Sequence, residues 1–263
     1  MNIFIAGDIV GGPGRLAFAA AASRLQQAGQ ADFIIANAEN AAGGRGITQP
    51  LAEALFAAGA DALTLGDHAW DQKELAKTID REPRLVRPAN YAPGCPGRGW
   101  STFETPYGKI TVLSLLGRVF MPPSDCPFRA ADAILQRGGV ELGKIIIVDM
   151  HAEATSEKIA MGRYLDGRVT AVVGSHTHVQ TADDALLPKG TAYLTDLGMT
   201  GPKDSVLGRD VGAVLKKFLT GMPQQFEIAT GDVRCEGLVV TVDEKTGRAT
   251  KVQRIQEKLD AGK

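Results

Sequence analysis

Six short runs of β-branched and aliphatic residues, each closed within two residues by a glycine, asparagine or aspartate, constrain this chain more than any other feature. They occupy residues 3–6, 33–36, 62–65, 110–115, 145–148 and 169–173. An uninterrupted apolar run of this length suits a strand buried on both faces, because alternate side chains point to opposite sides of a sheet and here neither side is polar. Helix-like stretches separate the runs, at residues 14–28, 49–58, 71–79, 129–136 and 153–164. This alternation predicts an α/β fold with much parallel pairing.

The last third reads differently. Strands are expected over residues 191–195, 226–230, 236–242 and 249–255, with Asp243-Glu244-Lys245-Thr246-Gly247 turning between the last two. With a helix over 206–219, this part is expected to form a β-rich second layer. Residues 83–100 hold Pro83, Pro88, Pro93 and Pro96, which rule out regular helix or a central strand. A loop or small cap beside a site and a plain surface connection are both open readings there.

At 263 residues and 44% hydrophobic content the chain can bury a sizeable core as one domain. Its 29 basic and 30 acidic residues leave a net charge of −1, which argues against a broad nucleic-acid or anionic-membrane surface. No apolar stretch approaches the roughly 20 residues of a membrane span. The start, Met1 to Asp8, has no basic leader and meets an acid at position 8, and the three cysteines show no paired spacing. A cytoplasmic protein is expected.

The four histidines all stand at strand exits: His68 after Gly66-Asp67, His151 after Asp149-Met150, and His176 and His178 in Gly174-Ser175-His176-Thr177-His178. Two further exits carry Asp8 and the run Asn37-Ala38-Glu39-Asn40. Loops beyond the carboxyl ends of strands converge in open α/β sheets, so Asp8, Glu39, Asn40, Asp67, His68, His151, His176 and His178 could share one crevice. Oxygen and nitrogen donors without a thiolate suit divalent manganese, iron or zinc. Rival motifs fail: Gly7, Gly11, Gly12 and Gly14 meet neither phosphate-loop fingerprint, and Ser175 lacks the nucleophile-elbow glycines.

In this order, Gly7-Asp8, Asn37-Ala38-Glu39-Asn40, Gly66-Asp67-His68, His151 and Gly174-Ser175-His176-Thr177-His178 resemble the calcineurin-like metallophosphoesterases. Gly7-Asp8-Ile9-Val10-Gly11, Asn37 to Ala41 and His151-Ala152-Glu153-Ala154-Thr155-Ser156-Glu157-Lys158 narrow the resemblance to the YmdB-like branch, described as 2′,3′-cyclic-nucleotide 2′-phosphodiesterases. The resemblance implies a two-sheet α/β sandwich with αββα layers and two metal ions at one edge. Iron or manganese is implied first, with zinc or magnesium as alternatives. Asp8, Glu39, Asn40 and His178 would hold one ion; Glu39, Asp67, His151 and His176 would hold the other. The implied reaction is in-line attack of a metal-bound hydroxide on a cyclic nucleotide, 2′,3′-cyclic and also 3′,5′-cyclic, with His68 as proton donor.

Three positions depart from the superfamily pattern: Val10 replaces a histidine ligand, Glu39 the bridging aspartate, and Asp67 the usual asparagine. Asp8, Glu39, Asp67 and a hydroxide would balance two divalent ions, so Asp67 is expected to favour a trivalent partner or to weaken anion binding. Asp71, one turn on, is a candidate to orient His68, with an acid at a helix start as the alternative. Lys158 and Arg118 are candidate phosphate contacts, with surface ion pairs as the alternative. Phe120-Met121-Pro122-Pro123 and the 83–100 loop are candidate base platforms, with plain packing of the aromatics as the alternative. A phosphomonoesterase or phosphoprotein phosphatase on the same site, and a non-catalytic nucleotide sensor, are the competing readings; homo-oligomerisation follows from the resemblance alone.

Overall fold

The computed structural model describes residues 1–259. In chain order the elements are β1 (Asn2–Ala6), β2 (Asp8–Ile9), α1 (Gly11–Gln27), β3 (Phe33–Asn37), α2 (Gln49–Ala57), β4 (Ala62–Thr64), β5 (Leu85–Val86), β6 (Trp100–Thr105) and β7 (Gly108–Leu116). They continue with α3 (Pro127–Leu135), the single turn α4 (Gly139–Leu142), β8 (Ile145–His151), α5 (Thr155–Leu165), β9 (Ala171–Ser175), β10 (Ala185–Leu186) and β11 (Ala192–Leu194). The last four are β12 (Met199–Asp204), α6 (Val211–Thr220), β13 (Gly231–Asp243) and β14 (Arg248–Lys258).

Two sheets result. The first runs β2-β12-β13-β1-β3-β4-β5, with β14 also on β13; the second runs β10-β11-β9-β8-β7-β6. β1, β3, β4 and β5 are mutually parallel, as are β7, β8, β9 and β11. The apolar runs explain the layering. Ile3, Ile5, Phe33 and Ile35 face Ile110, Val112, Ile145 and Ile147 of the other sheet. Their neighbours Phe4, Ala6, Ile34 and Ala36 face α1 and α2, while Ile146, Val148 and Met150 face the α3 and α5 side. The central strands therefore bury both faces, and the order of layers is helix, sheet, sheet, helix.

Several sequence expectations change. The last third is no separate layer: β10 and β11 extend the second sheet, while β12, β13 and β14 complete the first. Residues 71–79 form turns and a 3-10 segment at Leu75–Lys77, followed by another at Ile79–Arg81. Two anchors, Leu75 and Ile79, are buried by these tight turns, and Asp80 accepts a hydrogen bond from the Gly97 N–H instead of serving a helix. Residues 226–230 make only an isolated bridge, Ile228 to Arg209, before β13 begins. The helix expected from 206 begins at Val211, because Leu207 and Gly208 adopt positive φ and Asp210 caps the Ala213 N–H. β12, with Gly201 and Pro202 inside it, gave no strand signal.

The proline-rich stretch contains the short edge strand β5 and, after it, an ordered loop that leads into β6. The Arg87 guanidinium organises it by donating to the carbonyls of Pro88, Cys95, Pro96 and Gly97. Among the described residues no helix is long and apolar enough to cross a membrane.

Cys235 lies in β13 within the helix-facing core, where burial pushes its thiol up to about 12, whereas Cys95 and Cys126 are partly exposed. Ellman's reagent should titrate Cys95 and Cys126 in the folded protein and reach Cys235 only on denaturation. A third rapidly reacting thiol would contradict this placement of β13.

Candidate metal centre

Five strand ends meet at one edge of the sandwich. Asp8 opens β2 directly after β1, Glu39 and Asn40 follow β3, and Asp67 and His68 follow β4. From the second sheet, His151 is the last residue of β8 rather than a loop residue beyond it, and His176 and His178 follow β9. Glu39, Asp67, His151 and His176 place one ligand atom each within 4.8 Å of one another and could hold a metal ion.

Glu39 is the centre of this cluster and is fully buried. Its Oε1 lies 3.1 Å from His151 Nε2 and accepts from Asn40 Nδ2 at 3.2 Å; its Oε2 accepts the His68 N–H at 3.0 Å. Asp67 Oδ1 stands 3.0 Å from His151 Nε2 and 3.3 Å from His176 Nδ1. On the other side, Asn40 Nδ2 is 3.3 Å from His178 Nε2, which is 3.7 Å from Asp8 Oδ1. The amide, turned half a revolution, presents its oxygen to the same space. Gly66 is required here: a Cβ on it would overlap the His151 ring and the Glu39 carboxylate.

Electrostatics point the same way. Burial opposes ionisation of Asp8, yet the imidazoles of His178 and His151 and the His176 N–H hold its carboxyl well below the usual range. Burial likewise favours neutral His151, but Glu39, Asp67 and Asp8 raise its pKa well above that of free imidazole. Protons on imidazoles thus occupy the place a cation would take, and metal binding would displace them. Asp8 Oδ1 is buried without a hydrogen-bond partner among the described residues, which is an open acceptor suited to a cation.

The tautomer of His151 follows from its neighbours. Ser175 Oγ lies 2.6 Å from Asp149 Oδ1, to which it donates its single proton. Its oxygen is therefore free to accept from His151 Nδ1–H at 2.9 Å, leaving the Nε2 lone pair for a cation. Asp149 Oδ2 also accepts from Thr64 Oγ1 at 2.5 Å and Asn37 Nδ2 at 3.1 Å.

His68 stands apart. Its Nδ1 is 3.0 Å from Asp71 Oδ2, in line with one of the two readings of that acid, and among the described residues its Nε2 has no hydrogen-bond partner. Glu153, which sequence reasoning passed over, reaches His176 Nε2 at 3.2 Å. A cavity of about 600 Å³ opens over the cluster; its walls include His68, Arg45, Arg209 and Phe226. Arg118, the 120–123 segment and the 83–100 loop do not line it, and Phe120 is 89% exposed. Tyr91 from that loop instead donates to the Gly66 carbonyl at 2.8 Å, behind the cluster.

Lys158 is neither a phosphate contact nor a surface ion pair. It is 1% exposed, and its Nζ donates to Asp196 Oδ2 at 2.6 Å and to Thr177 Oγ1 at 3.2 Å. The same Asp196 oxygen accepts from the N–H of Thr177 at 3.2 Å. Thr177 sits between His176 and His178, whose φ values of 93° and 61° are costly for non-glycine residues, about 1–3 kcal/mol each. The buried pair holds this strained turn so that both imidazoles point into the cluster.

A helix-flanked double sheet with this acid–imidazole cluster at its strand ends defines a calcineurin-like metallophosphoesterase. Within that class the chain belongs to the YmdB-like protein family, whose pattern matches residues 4–255. A Bacillus subtilis protein named 2′,3′-cyclic-nucleotide 2′-phosphodiesterase is 46% identical over 255 residues, 97% of this chain and 96% of the relative. Of solved structures, a hypothetical protein from Thermus thermophilus is 41% identical with a TM-score of 0.92, covering 98% of this chain and 99% of its own. A Mycoplasma pneumoniae protein described as a novel phosphatase is 35% identical with a TM-score of 0.91, over 98% and 93%.

Lys158→Met leaves Asp196 charged and buried, and should cost about 3–5 kcal/mol in urea unfolding. Adding Asp196→Leu should recover most of that stability, because no lone charge is left inside. The double variant should still bind manganese roughly 10–100-fold more weakly, since the Thr177 N–H has lost its acceptor. Wild-type manganese affinity in the double variant would show that the turn needs no clamp.

Proposed function

We propose that this protein is a metal-dependent phosphodiesterase that hydrolyses 2′,3′-cyclic nucleotides at the 2′ oxygen. One observation carries the reading: the His68 imidazole, whose Nε2 has no hydrogen-bond partner among the described residues, borders the same cavity as the acid–imidazole cluster without belonging to it. The B. subtilis relative of that name, alike over nearly the full length of both chains, supports the choice of substrate.

Asp8, Glu39, Asn40 and His178 would hold one ion and Glu39, Asp67, His151 and His176 a second, with Glu39 shared between them; iron or manganese suits this donor set. Two divalent ions supply charge neutralisation at phosphorus and water of lowered pKa. The reaction adds the oxygen of water to phosphorus, breaks the bond from phosphorus to O2′ and leaves a proton on O2′. His68 delivers that proton from Nε2, while Asp71 on Nδ1 orients the ring. The buried Asp149–Ser175 pair fixes which nitrogen of His151 faces the cluster.

Glu39→Gln should lose bound metal and turnover together. His68→Ala should keep its metal, measured by elemental analysis, and lose roughly 10²–10⁴-fold in turnover of 2′,3′-cyclic AMP. A metal-free His68→Ala protein would remove the proton-donor assignment. The M. pneumoniae neighbour described as a phosphatase makes a monoester the second reading. Comparing 2′,3′-cyclic AMP, 3′,5′-cyclic AMP and a phosphopeptide at equal manganese loading decides: fastest turnover of the phosphopeptide would overturn the cyclic-nucleotide assignment.

A further inference from the structure

The cavity is also lined by two guanidinium groups, of Arg45 and Arg209, that the hydrolytic reading leaves unused. Arg209 Nη2 donates to the Gly44 carbonyl at 2.6 Å and Nη1 to the Gly43 carbonyl at 3.2 Å. The loop is shaped to receive it: a Cβ on Gly44, whose φ is +88°, would overlap the guanidinium. The Gly44 N–H in turn donates to the Asn40 carbonyl at 3.0 Å, so Arg209 is tied to the turn that carries Glu39 and Asn40. Among the described residues neither Arg209 nor Arg45 has a carboxylate partner. Burial lowers the affinity of Arg209 for its proton, and the nearby charge of Arg45 lowers it further. Two like charges brought together beside a cavity, one of them half-buried, raise the free energy of the empty site and are relieved by an anion.

A cyclic mononucleotide has one phosphate, which the acid–imidazole cluster would engage through its metal ions. The arginines call for a second. Beside them, Phe226 borders the cavity while Lys217 Nζ stands 5.2 Å from its ring centre. A partly exposed phenyl ring in a polar cavity suits stacking of a base. About 600 Å³ is ample for a nucleotide, since small-ligand sites span roughly 300–1,000 Å³.

We propose that Arg45 and Arg209 form a second anion subsite, which takes a phosphate on the 5′ oxygen of a nucleotide whose 2′,3′-cyclic phosphate lies at the metal centre, with the base against Phe226. The inference rests on the phosphodiesterase reading and narrows its substrate class. The 5′-phosphate can come from a phosphorylated mononucleotide or from the last internucleotide linkage of an RNA ending in a cyclic phosphate. Engaging only the end of a strand agrees with a chain whose net charge is −1.

The full-length, manganese-loaded protein tests this with three substrates: 2′,3′-cyclic AMP, the same nucleotide with a 5′-phosphate, and a diadenylate ending in a 2′,3′-cyclic phosphate. The 5′-phosphate should raise kcat/KM about 10–100-fold, mainly through KM, as expected for one or two charge-assisted hydrogen bonds. In Arg209→Gln and in the exposed variant Arg45→Gln, the ratio of kcat/KM with and without the 5′-phosphate should fall toward one. An increment of equal size for the diadenylate assigns the subsite to RNA ends; an increment confined to the monophosphate assigns it to mononucleotides. A ratio near one in the wild type, or one that neither variant changes, would overturn the inference. Calorimetric binding of adenosine 3′,5′-bisphosphate against adenosine 3′-phosphate gives a readout independent of turnover. An Arg209-dependent preference for the bisphosphate without hydrolysis of any cyclic nucleotide would uphold the subsite and sink the phosphodiesterase reading.

Discussion

Two sheets that are apolar toward each other can bring charges together only where their seam turns polar, and Asp149 is where it does. Its carboxylate is 3% exposed and accepts from Thr64 and Asn37 of the first sheet and from Ser175 of the second. Burial raises its pKa, and leaving such a group unpaired would cost several kcal/mol. These donors therefore join the carboxyl ends of β3, β4, β8 and β9 at one level. Through Ser175 the same carboxylate sets the proton on His151, so the joint between the sheets is also what aims a ligand.

Above that joint, close approach and strain replace apolar packing. Gly66 lets the chain pass against His151 and Glu39, and the left-handed His176 and His178 are held by the fully buried Lys158–Asp196 pair. Buried ion pairs add little net stability, but losing one partner is expensive, and that asymmetry suits a clamp on a strained turn. The cluster in turn crowds carboxylates and imidazoles that relieve one another only by sharing protons or a cation.

Much of this was legible in order along the chain. Runs such as Ile145 to Val148 announce doubly buried strands because hydrophobic periodicity is local, and Asp8, Glu39, Asp67, His151, His176 and His178 stand at their ends. Asp71 beside His68 was also within reach, being one turn away. What failed was local in another sense. Residues 71–79 have helix-like composition, but tertiary anchors at Leu75, Ile79 and Asp80 resolve them into tight turns. Residues 226–230 resemble a strand but cover the start of α1, where Ile228 lies against Gly11.

The sequence by itself determined the α/β class with its doubly buried strands, the positions of the acids and imidazoles, and the family to which their order points, since each is written in short-range pattern. Only the tertiary structure decided that Lys158 is a buried clamp, that Arg209 and Phe226 face the cavity, and that the last third completes both sheets. These facts depend on pairs such as Asp8 with His176, or Arg209 with Gly44, which lie far apart along the chain. No local periodicity carries a contact of that separation; it arises when two sheets close on one another and the ends of their strands are left with nowhere else to go.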